Sequence, residues 1–188
     1  MLKALALISL LFTSLLAKAN YFDTSPWPEI RKKRIAVLLP NALNAAQVDA
    51  WLVICRENNN DPLADHVGCE NAGQTAAFLF YNHAGQFHSM AFSPSGESTA
   101  LRDSQLLDEV ISVERSGSAI DMVADYINEK NFNKVAINIS STNAQADGLS
   151  YTQHIALSKA LGPEASKRLV SADEVVYQWL SIKLPEEI

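Results

Sequence analysis

The densest group of polar side chains in the sequence is Arg56, Glu57, Asn58, Asn59, Asn60 and Asp61, directly after the apolar run DAWLVIC at 49–55. A run of that length predicts a strand covered on both faces, and ligands of open α/β sheets gather beyond the carboxyl ends of such strands. Arg56 would offer a planar fork that grips a carboxylate through two parallel hydrogen bonds. The structural alternative is that Arg56 pairs with Asp61 or Glu57 while the Asn run shapes the loop. His66 follows close by, so Arg56, Asp61 and His66 are the candidate substrate-binding residues. A second polar stretch, Asn138 to Ser150, leaves another strand-like run at 135–139. There Asp147 and Gly148 read as a turn feeding a helix cap at Ser150.

Other chemistries find no support in the residue pattern. The histidines are His66, His83, His88 and His154, and no pair of them has metal-ligand spacing on one element. His154 falls on the apolar face of a predicted helix and reads as a core residue, while His83 and His88 read as surface positions. There is no glycine-rich phosphate loop and no G-x-S-x-G nucleophile elbow. The residues thus describe a domain without a complete catalytic constellation, and no cofactor is expected in this chain. Lys and Arg number 15 against 21 Asp and Glu, for a net charge of −6, which argues against a nucleic-acid partner. The one basic run, Arg31 to Arg34, reads as a solvated helix face.

The first residues read as an address rather than as structure. A positive start at Lys3, an apolar stretch over 4–16 and the small-x-small site Ala17-Lys18-Ala19 predict a cleaved secretory signal over 1–19. Thirteen apolar residues fall short of the roughly 20 needed to span a bilayer. The mature protein is therefore expected to be exported, periplasmic or secreted, with no membrane attachment after cleavage. In an oxidising compartment Cys55 and Cys69 could pair and close a loop; both could equally be buried free thiols. Spacing alone leaves that open.

The elements that must position these residues follow from periodicity and punctuation. Ser25 to Glu29 reads as a proline-marked helix start, continuing through Ile35, Leu38, Leu39 and Leu43 with a kink expected at Pro40. Residues 75–81 and 86–92 predict a hairpin joined through Asn82 to Gly85, and 110–113 a short strand. Ser118 opens a helix whose core face is Ile120, Val123, Ala124 and Ile127. Ser150 with Gln153, and Ser171 with Glu174, read as capping boxes, and Gly162 with Pro163 stops the first of those two helices. The second runs through Val175, Val176, Trp179 and Leu180. Leu184 to Ile188 has the form of one more helix start, with Pro185 and two acids in its first turn. Two adjoining strands followed by alternating strands and helices predict an α/β domain, a mixed β-sheet flanked by helices.

Several segments together resemble a known family. Val48 to Ile54, Arg56 with Glu57, and Asp61 with Pro62 resemble the first strand and following loop of creatinase/prolidase N-terminal domains. The basic helix at Arg31 to Arg34 precedes that strand, as it does in the family. Ala146 to Ser150 and Val170 to Glu174 resemble later segments of its aminopeptidase-P-like branch, and Trp179 to Ile188 resembles the junction where the metallopeptidase domain begins. The resemblance covers about residues 27–188 and implies a creatinase N-terminal, ribonuclease-H-like fold. It implies an N-terminal domain over 20–182, with 183–188 the start of a missing catalytic domain. Family members hold two metal ions on two Asp, a His and two Glu in a later "pita-bread" domain. The dinuclear metal is therefore expected only there, and no residue here matches a ligand. Arg56 lies near where some relatives place a substrate-contacting arginine. The implied role is non-catalytic, in assembly and in shaping the substrate cleft of a truncated or split Xaa-Pro peptidase. The implied partners are a second copy, a separate catalytic half, or a peptide. The alternative is a stand-alone exported assembly or peptide-binding module.

Overall fold

A computed structural model describes residues 25–188 apart from 59 and 71. The expected signal segment lies outside the described residues. Among the described residues no helix is long and apolar enough to cross a membrane.

Helix α1 (Trp27–Lys33) begins at the Ser25 hydroxyl, which accepts the Trp27 N–H, with Pro28 in its first turn. The expected kink at Pro40 takes the form of a wide turn at Arg34–Leu38, in which the Leu39 N–H reaches back to the Arg34 carbonyl. Proline has no N–H to give, and one widened turn re-registers the chain around that loss. Helix α2 (Leu39–Ala46) then ends on left-handed Gln47 and hands over to strand β1 (Ala50–Cys55), buried throughout. The chain continues through a short helix α3 (Ala64–Val67), not foreseen within the 56–70 loop. Strands β2 (Ala76–His83) and β3 (Gln86–Pro94) form the expected hairpin, but its turn is only Ala84 and Gly85, both at positive φ. That is the turn whose twist suits a two-residue hairpin, and Ala84 adopts it without a glycine's freedom.

Helix α4 (Ser95–Asp103) has no counterpart in the sequence reading, because Ser98 is its only buried residue and no apolar stripe marks it. Strand β4 (Glu109–Val113) leads to helix α5 (Ala119–Lys130), capped by Ser118 and buried along the anticipated face. After β5 (Val135–Ile137), helix α6 (Tyr151–Ala165) opens on the Ser150–Gln153 capping box and breaks at Gly162. A short strand β6 (Leu169–Ser171) precedes α7 (Asp173–Ser181). The second capping box does not form. The Ser171 hydroxyl instead accepts the Asp173 N–H and donates to the Ile139 carbonyl, while Glu174 accepts from Gln178.

Among the described residues six strands lie in one sheet in the order β4-β3-β2-β1-β5-β6. Strands β1, β2 and β3 run antiparallel in sequence order, whereas β5 joins β1, β6 joins β5 and β4 joins β3 in parallel. The mixed α/β sheet flanked by helices is thus the architecture anticipated. Period-two alternation along β1 feeds two cores. Trp51, Val53 and Cys55 face α2 and α7, and Leu52 and Ile54 face α5 and α6. Cys55 and Cys69 are joined in a disulfide with Cα atoms 6.1 Å apart, tying the end of β1 to the loop beyond α3.

Candidate functional site

The carboxyl end of β5 lies beside the middle of β1, since Leu52 pairs with Ile137 in parallel register, so the loop after β5 starts alongside Trp51. Trp51 brings an indole N–H into the core, and a buried donor of that kind requires an acceptor. Asn138 supplies it, with Trp51 Nε1 donating to Asn138 Oδ1 at 2.7 Å. The same amide donates from Nδ2 to Asp61 Oδ2 at 2.7 Å, and Asp61 Oδ1 accepts the Leu63 N–H at 2.9 Å. The chain of bonds runs in one direction and consumes both carboxylate oxygens. Asp61 is 3% exposed. Burial pushes its carboxyl above the usual carboxylate range, against the opposing pull of the Leu63 and Asn138 hydrogen bonds.

Gly148 closes the arrangement. A Cβ there would overlap Asp61 Oδ2 and lie 2.6 Å from Pro62 Cδ, so the second loop presses its bare backbone against the first. The polar stretch after β5 is otherwise spent on its own turns. Asp147 accepts the Ser140 N–H, the Ser140 hydroxyl accepts from Thr142 and Asn143, and the Leu149 N–H returns to the Asn138 carbonyl. Asp147 and Gly148 therefore feed the cap at Ser150, as their types imply.

The three candidate binding residues occupy three different settings. Asp61 is enclosed in the strand-end network. Arg56 is half-buried in an isolated bridge just past β1, with its Nε buried and unpartnered, and it forms no ion pair with Asp61 or Glu57 among the described residues. His66 packs edge-on against Trp27 and Trp179, with ring centroids 5.2 and 5.7 Å away. Burial holds the imidazole below its ordinary value, with the Arg34 charge acting in the same direction. No hydrogen bond joins any two of the three among the described residues.

A second polar centre overturns the reading of Arg31 to Arg34 as a solvated face. Arg31, Arg34, Ile35 and Leu38 follow the i, i+3, i+4, i+7 spacing of an inward stripe, and Arg34 is 2% exposed. Its Nη2 donates to the Trp179 carbonyl at 2.6 Å, and its Nη1 to the Ile182 carbonyl at 3.1 Å. Nη1 also reaches both Glu187 oxygens, at 2.7 and 3.0 Å. Trp179 returns the bond from Nε1 to the Arg34 carbonyl at 3.0 Å. Glu187 Oε2 further accepts the Leu184 N–H at 2.8 Å, and Lys33 pairs with Glu186. The segment Pro185–Glu187 is therefore clamped to the end of α1 rather than left as an isolated first turn. Only Lys32 and Lys33 of the basic run face solvent.

Among the described residues no group of three or more His, Cys, Asp or Glu side chains is placed to hold a metal ion. What the arrangement does chemically is lock loops and fix a segment.

No family model matches the chain. No curated protein matches it in sequence. Its fold does have solved counterparts. An Xaa-Pro dipeptidase from Bacillus anthracis is 17% identical over 85% of this chain, with a TM-score of 0.54. An X-Pro aminopeptidase from Thermotoga maritima MSB8 is 19% identical over 78%, with a TM-score of 0.56. The chain spans 38% and 37% of their respective lengths. The N-terminal domain of an Xaa-Pro dipeptidase from Lactobacillus brevis aligns with 66% of this chain at a TM-score of 0.47. The mixed sheet and its helices are a fold shared with part of those peptidase chains.

Proposed function

We propose that these residues form a non-catalytic N-terminal domain of an Xaa-Pro aminopeptidase- or prolidase-like metallopeptidase. Its work is assembly and the shaping of the substrate cleft beside a catalytic half, carried on further chain or on a separate polypeptide. The observation behind this reading is the likeness of the sheet to two Xaa-Pro peptidase chains, over most of this chain and little more than a third of theirs. Two local features support it. Arg34 holds the segment after α7 against α1, so anything joined there leaves in a fixed direction. Val37, Tyr177 and Ile182, on the elements that this clamp joins, are 53%, 63% and 46% exposed, and apolar groups at an exit point suit coverage by a partner.

The described residues do not fit a two-metal centre, because no group of three or more acids, histidines or cysteines among them is placed to hold a metal ion. No hydrolytic step is assigned to them. Reading the DNA beyond the Ile188 codon tests the proposal. A continuous or neighbouring frame encoding two Asp, a His and two Glu as metal ligands is the expected result. Unrelated sequence there would contradict it and leave a stand-alone exported module.

A further inference from the structure

None of the seven residues of α1 is buried, so its docking rests on a few contacts. Arg31 donates to the Asp65 carbonyl at 3.0 Å and to Glu70 Oε1 at 2.8 Å, and Trp27 packs edge-on against His66 with ring centroids 5.2 Å apart. Lys33 pairs with Glu186, an exposed contact that water screens. A helix this short does not persist in water without packing. At its carboxyl end α1 runs into the wide turn at Arg34–Leu38, which Arg34 anchors to the end of α7. The wider bond pattern interrupts the regular ladder there and gives α1 a point about which to move.

His66 sits at the centre of this docking. Its ring lies between Trp27 and Trp179, and the Arg34 guanidinium is 5.7 Å from the centroid of the same Trp179 ring. His66 Nδ1 and Trp27 Nε1 are both buried without a hydrogen-bond partner. Whichever nitrogen carries the proton of the neutral ring, an imidazolium donates from both. Protonation in the docked state would thus leave a charged N–H at Nδ1 with no acceptor, in the field of the Arg34 cation. The other charges facing the ring are Asp65 on α3, and Lys183 and Glu187 after α7. Both acids are engaged elsewhere, Glu187 with Arg34 and the Leu184 N–H, and Asp65 with Arg31 at 3.9 Å. The imidazole is accordingly held below its ordinary value, by burial first and Arg34 second.

We propose that α1 is an acid-released strap: protonation of His66 undocks Trp27 and frees residues 27–33 about the wide turn at Arg34–Leu38, while the sheet and the other helices stay folded. Undocking admits water to both imidazolium N–H groups, returns Arg31 to solvent and parts Lys33 from Glu186. One proton is coupled to the movement, so the undocked population rises by at most about tenfold per pH unit.

Hydrogen exchange of the full chain from pH 8 to pH 5, an interval around the free imidazole value of about 6.5, reads the outcome once rates are scaled for their intrinsic pH dependence. The expected result is that protection of the Ile30 to Lys33 amides falls at least about threefold per pH unit across the transition, while protection of β1 and α5 holds. His66→Phe keeps an aromatic ring against both tryptophans and takes up no proton, so the pH dependence should vanish in that variant. The parent also reports without any substitution, because the NMR titration midpoint of the His66 ring should coincide with the midpoint of the α1 change. Protection of α1 that is constant over this interval, that falls equally in His66→Phe, or that falls together with β1 and α5 overturns the proposal. Midpoints of His66 and α1 that differ overturn it as well.

Discussion

Replacing Arg34 with methionine removes the guanidinium while keeping most of the side-chain volume. The structure sets the size of the effect. Arg34 is 2% exposed and serves the carbonyls of Trp179 and Ile182 together with the Glu187 carboxylate. Removing one partner of a buried ion pair costs about 3–5 kcal/mol, because the other charge stays desolvated. Here the Glu187 side chain is 15% exposed, so it turns partly to water, and the lower figure of about 3 kcal/mol applies. In a domain of this length that lowers Tm by about 6–12 °C. Lys33→Ala removes the neighbouring solvent-exposed pair with Glu186, which water screens, and should lower Tm far less than Arg34→Met does. The acid dependence has a definite sign. Burial works to raise the Glu187 carboxyl, but the Leu184 N–H and Arg34 outweigh it and hold the group below the usual range. A depressed carboxyl contributes stability that is full above the unfolded value of about 4.3 and is lost as pH falls through the lower folded value. Differential scanning calorimetry of parent, Arg34→Met and Lys33→Ala from pH 7 to 3 measures both effects. An Arg34→Met melt within 1–2 °C of the parent, or no larger a loss than Lys33→Ala, would refute the clamp.

Three further outcomes follow from the strand-end network and its surroundings. Asp61→Asn places an amide donor opposite the Asn138 Nδ2 donor, whose orientation Trp51 fixes; urea unfolding should show a loss of about 1–3 kcal/mol. Gly148→Ala drives a Cβ into Asp61 and Pro62 and should cost at least about 1–3 kcal/mol in the same assay. The His66 imidazole is held low by burial first and Arg34 second, so its contribution is full above the unfolded value of about 6.5 and is lost as pH falls through the folded one. His66→Gln should flatten the stability profile across that interval in thermal melts.

The parts of the fold written in local pattern were legible. Strand β1 announces itself by an unbroken apolar run, and α5 by Ile120, Val123, Ala124 and Ile127, all buried as their spacing implies. Helix α4 was not, because it buries only Ser98 and carries no stripe to detect. Ser171 was misjudged because a cap signature cannot reveal that the hydroxyl is drawn to the Ile139 carbonyl of a neighbouring strand end. Long-range pairing hid the fate of the candidate site in the same way. Asp61 and Asn138 are 77 residues apart, and nothing near either shows that they bond. Arg34 did leave a signal, since it shares an inward stripe with Ile35 and Leu38, but four adjacent charges masked it. Trp51 left another: an indole within an otherwise apolar strand demands an acceptor, and Asn138 heads the adjoining loop.

The central claim, that these residues support a peptidase without performing its chemistry, is tested most directly by assaying them by themselves. Purified residues 20–188 are incubated with manganese, cobalt or zinc and an Xaa-Pro dipeptide or tripeptide, and release of the N-terminal amino acid is followed. Amide hydrolysis in such enzymes draws its nucleophile from metal-bound water, and the acids and histidines described here do not converge on a metal. Release no faster than in a protein-free control with the same metal is the expected result. Chelator-sensitive release above that control would contradict it and place catalysis within this domain.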